Sequence, residues 1–326
     1  MGGYLIRRLL SVLPTLLGIT LITFLLLEAL PGREMALLGG EGRALPSPTA
    51  LEEIRRAYHL DEPVGMRYLA WLLRVVRWDL GESLLDGRSV GSVIGQASLP
   101  TLALNVAALL LAFGVAIPLG VSWARRRGSR GERAGALVLL LLYAFPNFAA
   151  ALLLQQLLAV RFHLLPLQGI GDPLSGASLP ARAGDFLLHL VLPALCLGYG
   201  SLAYLARFTR ANLLEAIGRE YLLAARARGV TESVLAWKHA FRNAAIPLLT
   251  LVGLLIPALL GGSVLIETIF SWPGLGRLYF YSLSNRDYPV VLGLTTLTAF
   301  LTLAGSLLAD FLYGLADPRV AAREEP

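Results

Sequence analysis

Six stretches of about twenty residues carry almost no formally charged side chain, and this constrains the fold more than any other feature of the chain. A bilayer core of about 30 Å takes roughly 20 apolar residues in a helix. Residues 9–27, 99–124, 134–160, 243–266 and 288–309 hold no formal charge, and 186–206 hold only His189 besides tyrosine and cysteine. Apolar residues gathered into blocks, instead of spaced at amphipathic intervals, predict membrane spans over a soluble core. The 326 residues are 56% apolar and 15% charged, with a mean hydropathy of +0.66, which agrees with one integral membrane domain. The expected fold is all-α and polytopic, with six transmembrane helices at about 9–30, 99–124, 134–160, 185–207, 243–268 and 288–314.

Arginine and lysine placement orients these spans, because short cytoplasmic loops retain basic residues. With both termini cytoplasmic, the inner side receives Arg7 and Arg8, five arginines between 125 and 133, seven basic residues between 207 and 242, and Arg319 and Arg323. The short outer loops then hold only Arg161, Arg182, Arg277 and Arg286. The remaining eight lie in 31–98, a loop beyond the roughly 60-residue length within which the rule counts. The first block follows Arg7 and Arg8 as a secretory signal would, but it is too long and lacks a small-x-small cleavage pattern, so it is expected to stay as the first span. The net charge of +6 is assigned to inner loops, and nucleic acid is not an expected partner. Cys196, the single cysteine, excludes an intrachain disulfide and a cysteine metal cluster. Pro14, Pro118, Pro146, Pro193 and Pro257 fall inside the blocks, where neighbouring helices can satisfy the freed carbonyls.

Two connectors are too large to be simple turns. Residues 31–98 carry Tyr58, Tyr68, Trp71 and Trp78 among alternating charges, a pattern of folded, partly helical extracytoplasmic material. Such a loop either binds something or caps the bundle. Residues 207–242 form the second. Gly229 stands where a helix C-cap belongs, and Thr231 follows as an N-cap for a second short helix to about Phe241. Val230, Val234, Leu235 and Trp237 would form the apolar side of that helix, with Glu232, Lys238 and Arg242 kept wet. It can lie on the membrane or enter a partner's groove.

The segment "EYLLAARARGVTESVLAWKHAFRNAAIP" resembles the cytoplasmic signature of binding-protein-dependent ABC permeases in its dipeptide and oligopeptide form. Glu220, Tyr221, Ala224, Ala225, Gly229, Lys238, His239 and Ala240 match that signature. His239 to Arg242, with Pro247 further on, fit the peptide-type branch better than the sugar-type one. The resemblance runs nearly the whole chain, through "HLDEP" at 59–63, "RYLAWL" at 67–72, "WDLGES" at 78–83, "LPTLAL" at 99–104, "ARFTRANLLEAI" from Ala206, "GGSVLIETIFSWPGLGRL" from Gly261, "RDYP" from Arg286 and "DPR" at 317–319. Arg33 and Glu34 depart from the family's usual Pro-Gly-Asp-Pro after the first span.

The resemblance implies the ABC importer type I permease fold in a bacterial or archaeal cytoplasmic (inner) membrane. It further implies a second homologous permease subunit, two ABC ATPase subunits and an extracytoplasmic solute-binding protein, besides membrane lipid. It places ATPase docking on Glu220, Tyr221, Ala224, Ala225, Gly229, Thr231, Glu232, Trp237, Lys238, His239 and Arg242, with the helix at about 231–241 seated in an ATPase cleft.

No cofactor and no catalytic residue is expected. A P-loop needs Gly-x-x-x-x-Gly-Lys-Ser/Thr, but the only lysine, Lys238, stands between Trp237 and His239, so ATP hydrolysis must belong to another chain. The four histidines lack metal-ligand spacing, and neither a Gly-x-Ser-x-Gly elbow nor a His-Glu-x-x-His pair occurs. Glu28, Asn105, Asn147, Gln155, Gln156, His189, Thr250, Glu267 and Asp310 are the polar residues in or bordering the spans. An interhelical hydrogen bond is expected of each, and a place on the substrate path is the alternative. An ion-coupled carrier or channel is the competing class, but it would favour buried charge at mid-membrane, and five of six windows have none. Cargo is open among dipeptides, oligopeptides, metals, glutathione and haem.

Overall fold

Apolar residues without strand-length alternation become helix throughout the described chain. The computed structural model describes residues 2–29, 62–171, 178–255, 259 and 261–316. The motifs at 31–34 and 317–319, most of "HLDEP" and Pro257 lie outside those residues. Four helices are long and apolar enough to cross a membrane: Ser11–Glu28, Val90–Arg125, Leu179–Ile217 and Tyr288–Leu307. A bent pair, Arg130–Ala144 and Asn147–Arg161, supplies up to a fifth. The sixth expected window, 243–266, lies partly outside the described residues.

The chain divides into two compact units. The first comprises residues 1–101, 260–264 and 274–326. Its helices are α1 (Gly2–Glu28), α2 (Val64–Val76), the start of α3 (Val90–Arg125), α10 (Leu275–Ser284) and α11 (Tyr288–Ala316). Tyr68 and Trp71 of α2 pack with Phe24 and Leu27 of α1 and with Tyr288, Val291 and Leu292 of α11. The Tyr68 hydroxyl lies 3.0 Å from Thr20 Oγ1, and Arg67 pairs with Glu28. Residues 90–98, expected in the partly helical connector before the second span, are continuous with that span's helix, because Val90, Ile94 and Ala97 recur on one face and pack against Leu275, Val290 and Leu294. Buried Thr101 then accepts the N–H of Leu275 at 2.7 Å, satisfying a donor that the start of α10 leaves open. Two of the sequence motifs meet here. Asp287 of "RDYP" accepts from Ser83 Oγ at 2.5 Å and from the Leu84 N–H at 3.0 Å, so the turn around "WDLGES" is held at the base of α11. A groove of about 420 Å³ opens among α1, α10 and α11, lined by Ile19, Tyr279, Thr295, Thr298 and Thr302 among others.

The second unit comprises residues 102–259 and 265–273. It holds the rest of α3, α4 (Arg130–Ala144), α5 (Asn147–Leu154, continued as π-helix Gln155–Arg161), α6 (Leu179–Ile217), α7 (Glu220–Ala227), α8, and α9 (Val264–Ile269) from its second residue. Helix α8 begins at Glu232–Val234, passes through π-helical Leu235–Ala240 and continues as Phe241–Leu255.

Small residues let α3 and α6 approach closely. A Cβ on Gly198 would stand 2.7 Å from the Ala108 carbonyl oxygen, and one on Gly120 would stand 2.7 Å from that of Ala206. Pro14 and Pro193 sit inside unbroken helices. Pro146 instead breaks the third block, and α4 and α5 meet at 97°. The residue before a proline avoids the helical region, and Phe145 is extended with ψ 127°. Its carbonyl accepts the Tyr199 hydroxyl at 2.5 Å.

Asn105 and Gln155 meet the expectation of hydrogen bonding for intramembrane polar groups. Asn105 Nδ2 donates to the Leu259 carbonyl at 2.7 Å, and Gln155 Nε2 donates to the carbonyls of Leu167 and Ile269 at 2.8 and 3.2 Å. His189 differs, because its Nδ1 meets the Asp185 carbonyl of its own helix at 2.8 Å.

Candidate coupling site

The connection from α6 to α8 is built on an apolar anchor. Leu222 is buried, and it lies in a cluster with Leu213 and Ala216 of α6, Val121 and Ala124 of α3, and Leu235, Ala236, Ala240 and Ala244 of α8. Helix α6 therefore runs past its apolar window to Ile217, and α7 folds back onto its last turns. Glu220 opens α7, where a carboxylate complements the positive helix end.

Helix α7 ends on Gly229, as its sequence position indicates. Gly229 takes φ +82°, the left-handed conformation that a Cβ disfavours. Its N–H donates to the Arg226 carbonyl at 3.0 Å, and the Val230 N–H to that of Ala225 at 3.4 Å. Val230 and Ala225 both pack on the same apolar cluster. This is the double-bonded helix stop with its accompanying hydrophobic contact. No atom lies within 4 Å of the position a Gly229 Cβ would take, so backbone conformation alone selects glycine.

The second helix departs from expectation in two respects. It does not end near Phe241, because Ala240 to Ala245 contain neither glycine nor proline, and the helix continues into the next apolar stretch. Its apolar side is only partly the one the sequence suggests, with Val230 and Leu235 packed on the cluster as expected. Leu235, Ala236 and Ala240 are buried, whereas Val234 and Trp237 are each 42% exposed. The wider π-helical turn carries both Leu235 and Ala236 inward, and the Trp237 ring lies tilted by 57° against Phe241 at 5.5 Å between ring centroids. Thr231 occupies the N-cap with extended dihedrals, but only its backbone carbonyl is engaged, accepting the Leu235 N–H at 2.9 Å.

Around the turn, Arg226 grips Glu232 through two parallel bonds, Nε to Oε1 at 2.6 Å and Nη2 to Oε2 at 3.0 Å. That hydrogen bonding holds the Glu232 carboxyl below its usual range against the opposing effect of desolvation, and Arg125 adds to the lowering. Arg226 is raised in turn by the same partner. Asn243 Nδ2 donates to the Tyr221 hydroxyl at 2.6 Å, a second tie between α7 and α8. Tyr221, Ala224, Thr231, Lys238 and Arg242 are exposed, while Ala225 and His239 are half-buried. The sequence positions are thus brought to one helix–turn–helix, with the aromatic rings of Tyr221 and Trp237 left outside it. Leu222 and Asn243 were not singled out from sequence. Nothing distinguishes a leucine on a short helix until the surface beneath it is known.

A neighbouring cluster stiffens the base of α6. Glu132 accepts from Arg210 Nη2 and from the Gly128 N–H, both at 2.5 Å, and Ser129 Oγ accepts the Glu132 N–H at 3.2 Å. Ser129 thus caps α4, while the Glu132 carboxylate reaches back to the N–H of the residue before the cap and takes an arginine from α6. Among the described residues no group of three His, Cys, Asp or Glu could hold a metal.

Helices long and apolar enough to cross a membrane, with an exposed helix–turn–helix set on a packed base, are the features of a membrane protein that presents a surface to a partner. Comparison with known proteins agrees. Residues 116–322 match the family described as binding-protein-dependent transport system inner membrane component, and residues 1–95 match its N-terminal companion. The oligopeptide transport system permease protein AppB of Bacillus subtilis is 37% identical over 321 residues, covering 98% of this chain and 99% of that one. The dipeptide transport system permease protein DppB of Escherichia coli K12 is 37% identical over 334 residues, covering 97% and 98%. The di/tripeptide transport system permease protein DppB of Pseudomonas aeruginosa is also 37% identical over 334 residues, covering 98% and 99%.

The chain belongs to the binding-protein-dependent transport system inner membrane components, within their dipeptide and oligopeptide ABC permeases. It is a multi-pass permease subunit of an ABC importer in the cytoplasmic membrane, with the type I permease fold. It is not an enzyme. ATP hydrolysis belongs to separate ATPase subunits, and cargo delivery to a solute-binding protein. The alternative of an ion-coupled carrier is not favoured.

Proposed function

We propose that this permease subunit imports peptides, that its two termini and the α6–α8 connection are cytoplasmic, and that the surface around Gly229 receives one ATPase subunit. The observation that carries the docking is the exposed rim of Tyr221, Val234 and Trp237 over a fully packed base. Exposed aromatics on a rigid, buried support are what a protein interface anchors on. Lys238 and Arg242 flank the rim and supply charge for orientation. The other site residues, Glu220, Ala224, Ala225, Thr231, Glu232 and His239, shape the helix–turn–helix that presents it.

In this reading six spans form half of a translocation path, a second homologous permease subunit forms the other half, and two ATPase subunits dock beneath the pair. Continuity between the turn and α8 gives the docking surface a direct mechanical line into the span. Closure of the nucleotide sandwich would displace α7 and the first turn of α8 together and shift the bundle between its two openings. Moving such an equilibrium from 1:99 to 99:1 takes about 5.5 kcal/mol. Peptide cargo rests on the names of the relatives, which are peptide permeases.

The test is binding-protein-dependent peptide uptake and ATPase stimulation by the assembled complex in proteoliposomes. Val234→Asp, Trp237→Ala and a Lys238/Arg242 charge reversal are expected to insert normally and to lose both activities. Uptake by this chain without an ATPase, indifferent to those changes, would overturn the reading.

A further inference from the structure

Helix α2 is apolar on two opposite sides, and among the described residues only one of them is covered by protein. At 100° per residue Tyr68, Trp71, Leu72 and Val75 share one face, and this face packs on α1 and α11. The opposite face holds Met66, Leu69, Leu73 and Val76, exposed by 58, 57, 61 and 72%. Arg67 and Arg74 form a narrow polar stripe between the faces, and Arg77 and Trp78 follow the last turn. A helix with apolar residues on both sides is normally covered on both.

The position of α2 along α1 says what covers it. The Tyr68 hydroxyl donates to the Leu17 carbonyl at 3.2 Å, the Trp71 and Phe24 rings lie 6.0 Å apart, and Arg67 pairs with Glu28. These contacts run from Leu17 to Glu28, the two thirds of Ser11–Glu28 that end at Glu28, in a span of about 27 Å at 1.5 Å per residue. At the same level α1 exposes Ile22, Leu25 and Leu26, side chains that only lipid or another membrane helix can cover. A helix with one apolar face, flanking arginines and a terminal tryptophan, set at the end of a span, has the composition of an element lying in the membrane interface.

We propose that α2 is an interfacial membrane helix: Met66, Leu69, Leu73 and Val76 lie among acyl chains at the Glu28 end of α1, and Arg74 and Arg77 reach lipid phosphates. The occupant of the face is lipid. Arginines at its margin complement anionic headgroups and their long stems reach past the apolar boundary. The buried face then fixes α2 to α1 and α11, so the helix is a float rigidly joined to two spans. The connector between the first two apolar blocks is thereby held to the membrane surface at its α2 end.

Spin labels on single cysteines at Leu69, Leu73 and Val76 test this in the assembled complex, reconstituted in nanodiscs of phosphatidylethanolamine and phosphatidylglycerol. The substituted side chains point away from the packed face, and buried Cys196 stays in place. Oxygen and a water-soluble nickel chelate compete as relaxants, with Leu26→Cys as the lipid reference and Asp86→Cys as the aqueous one. The expected result is an oxygen-to-nickel accessibility ratio at the three α2 positions that matches Leu26 and exceeds Asp86. A ratio matching Asp86 places the face in water and overturns the proposal. Protection from both relaxants means that protein covers the face, which overturns it equally. Neither readout depends on transport, so the outcome is independent of the docking proposal.

Discussion

Gly229 and Gly198 are both glycines on helices or their ends, yet different physics requires each. At Gly229 the space is open and φ is +82°, so Gly229→Ala leaves every contact intact and costs about 1 kcal/mol of backbone strain. A correspondingly modest drop in the thermal midpoint of the detergent-solubilised complex is expected, with Gly229→Asn falling between the two because asparagine tolerates the left-handed region. At Gly198 the backbone is ordinary helix and the obstacle is the Ala108 carbonyl, 2.7 Å from the new Cβ. Gly198→Val should therefore force α3 and α6 apart and cost about 1–3 kcal/mol. The same melting measurement should rank it well below Gly229→Ala. The charge state of Glu232 also belongs to this scale. Its carboxyl is lowered from the ordinary 4.5, so the Arg226–Glu232 contribution is fully present above that value and is lost as pH falls through the lower, folded one. Coupling of ATP hydrolysis to transport should accordingly show no pH dependence arising from this pair across the neutral range.

At the scale of elements, the break at Pro146 and the absence of a break after Phe241 shape the second unit. The extended Phe145 leaves a carbonyl that lipid cannot satisfy, and Tyr199 of α6 supplies the donor. Tyr199→Phe removes that donor without changing volume. A loss of about 0.6–1.7 kcal/mol is expected, the range of single interhelical hydrogen bonds in membranes. Equilibrium unfolding in bicelles would measure it, and no change would mean that the carbonyl is satisfied by other means. In the α7–α8 pair, Arg226→Glu and Glu232→Arg should each loosen the turn, and the double reversal should recover coupling that either single change loses. A double reversal no better than the singles would show that the ion pair does not join the two helices in the working complex.

At the scale of the whole molecule, the two cores explain how much was legible beforehand. Charge-free blocks announced membrane helices, and four emerge as single helices of sufficient length. The apolar pattern could not reveal that the third block is two helices at 97°, because a proline inside a span is compatible with both a kink and a break. It marked Gly229 correctly, since a glycine after a helical run followed by a β-branched residue has few other readings. It misjudged Val234 and Trp237, because apolar identity says that a side chain can be buried, and which side is buried depends on what packs beside it.

The division follows from the range of the forces involved. Span composition, the helix stop at Gly229, the absence of a P-loop in this chain and its family membership are carried by local order of residues, because backbone conformation and solvent preference act over a few positions. Tertiary structure alone decided that Leu222 anchors α7, that Asp287 holds Ser83 from 204 positions away, and that α2 turns Tyr68 and Trp71 inward while Leu69 and Leu73 are exposed. Each of those facts depends on which surfaces meet, and packing brings together residues whose separation along the chain carries no signal.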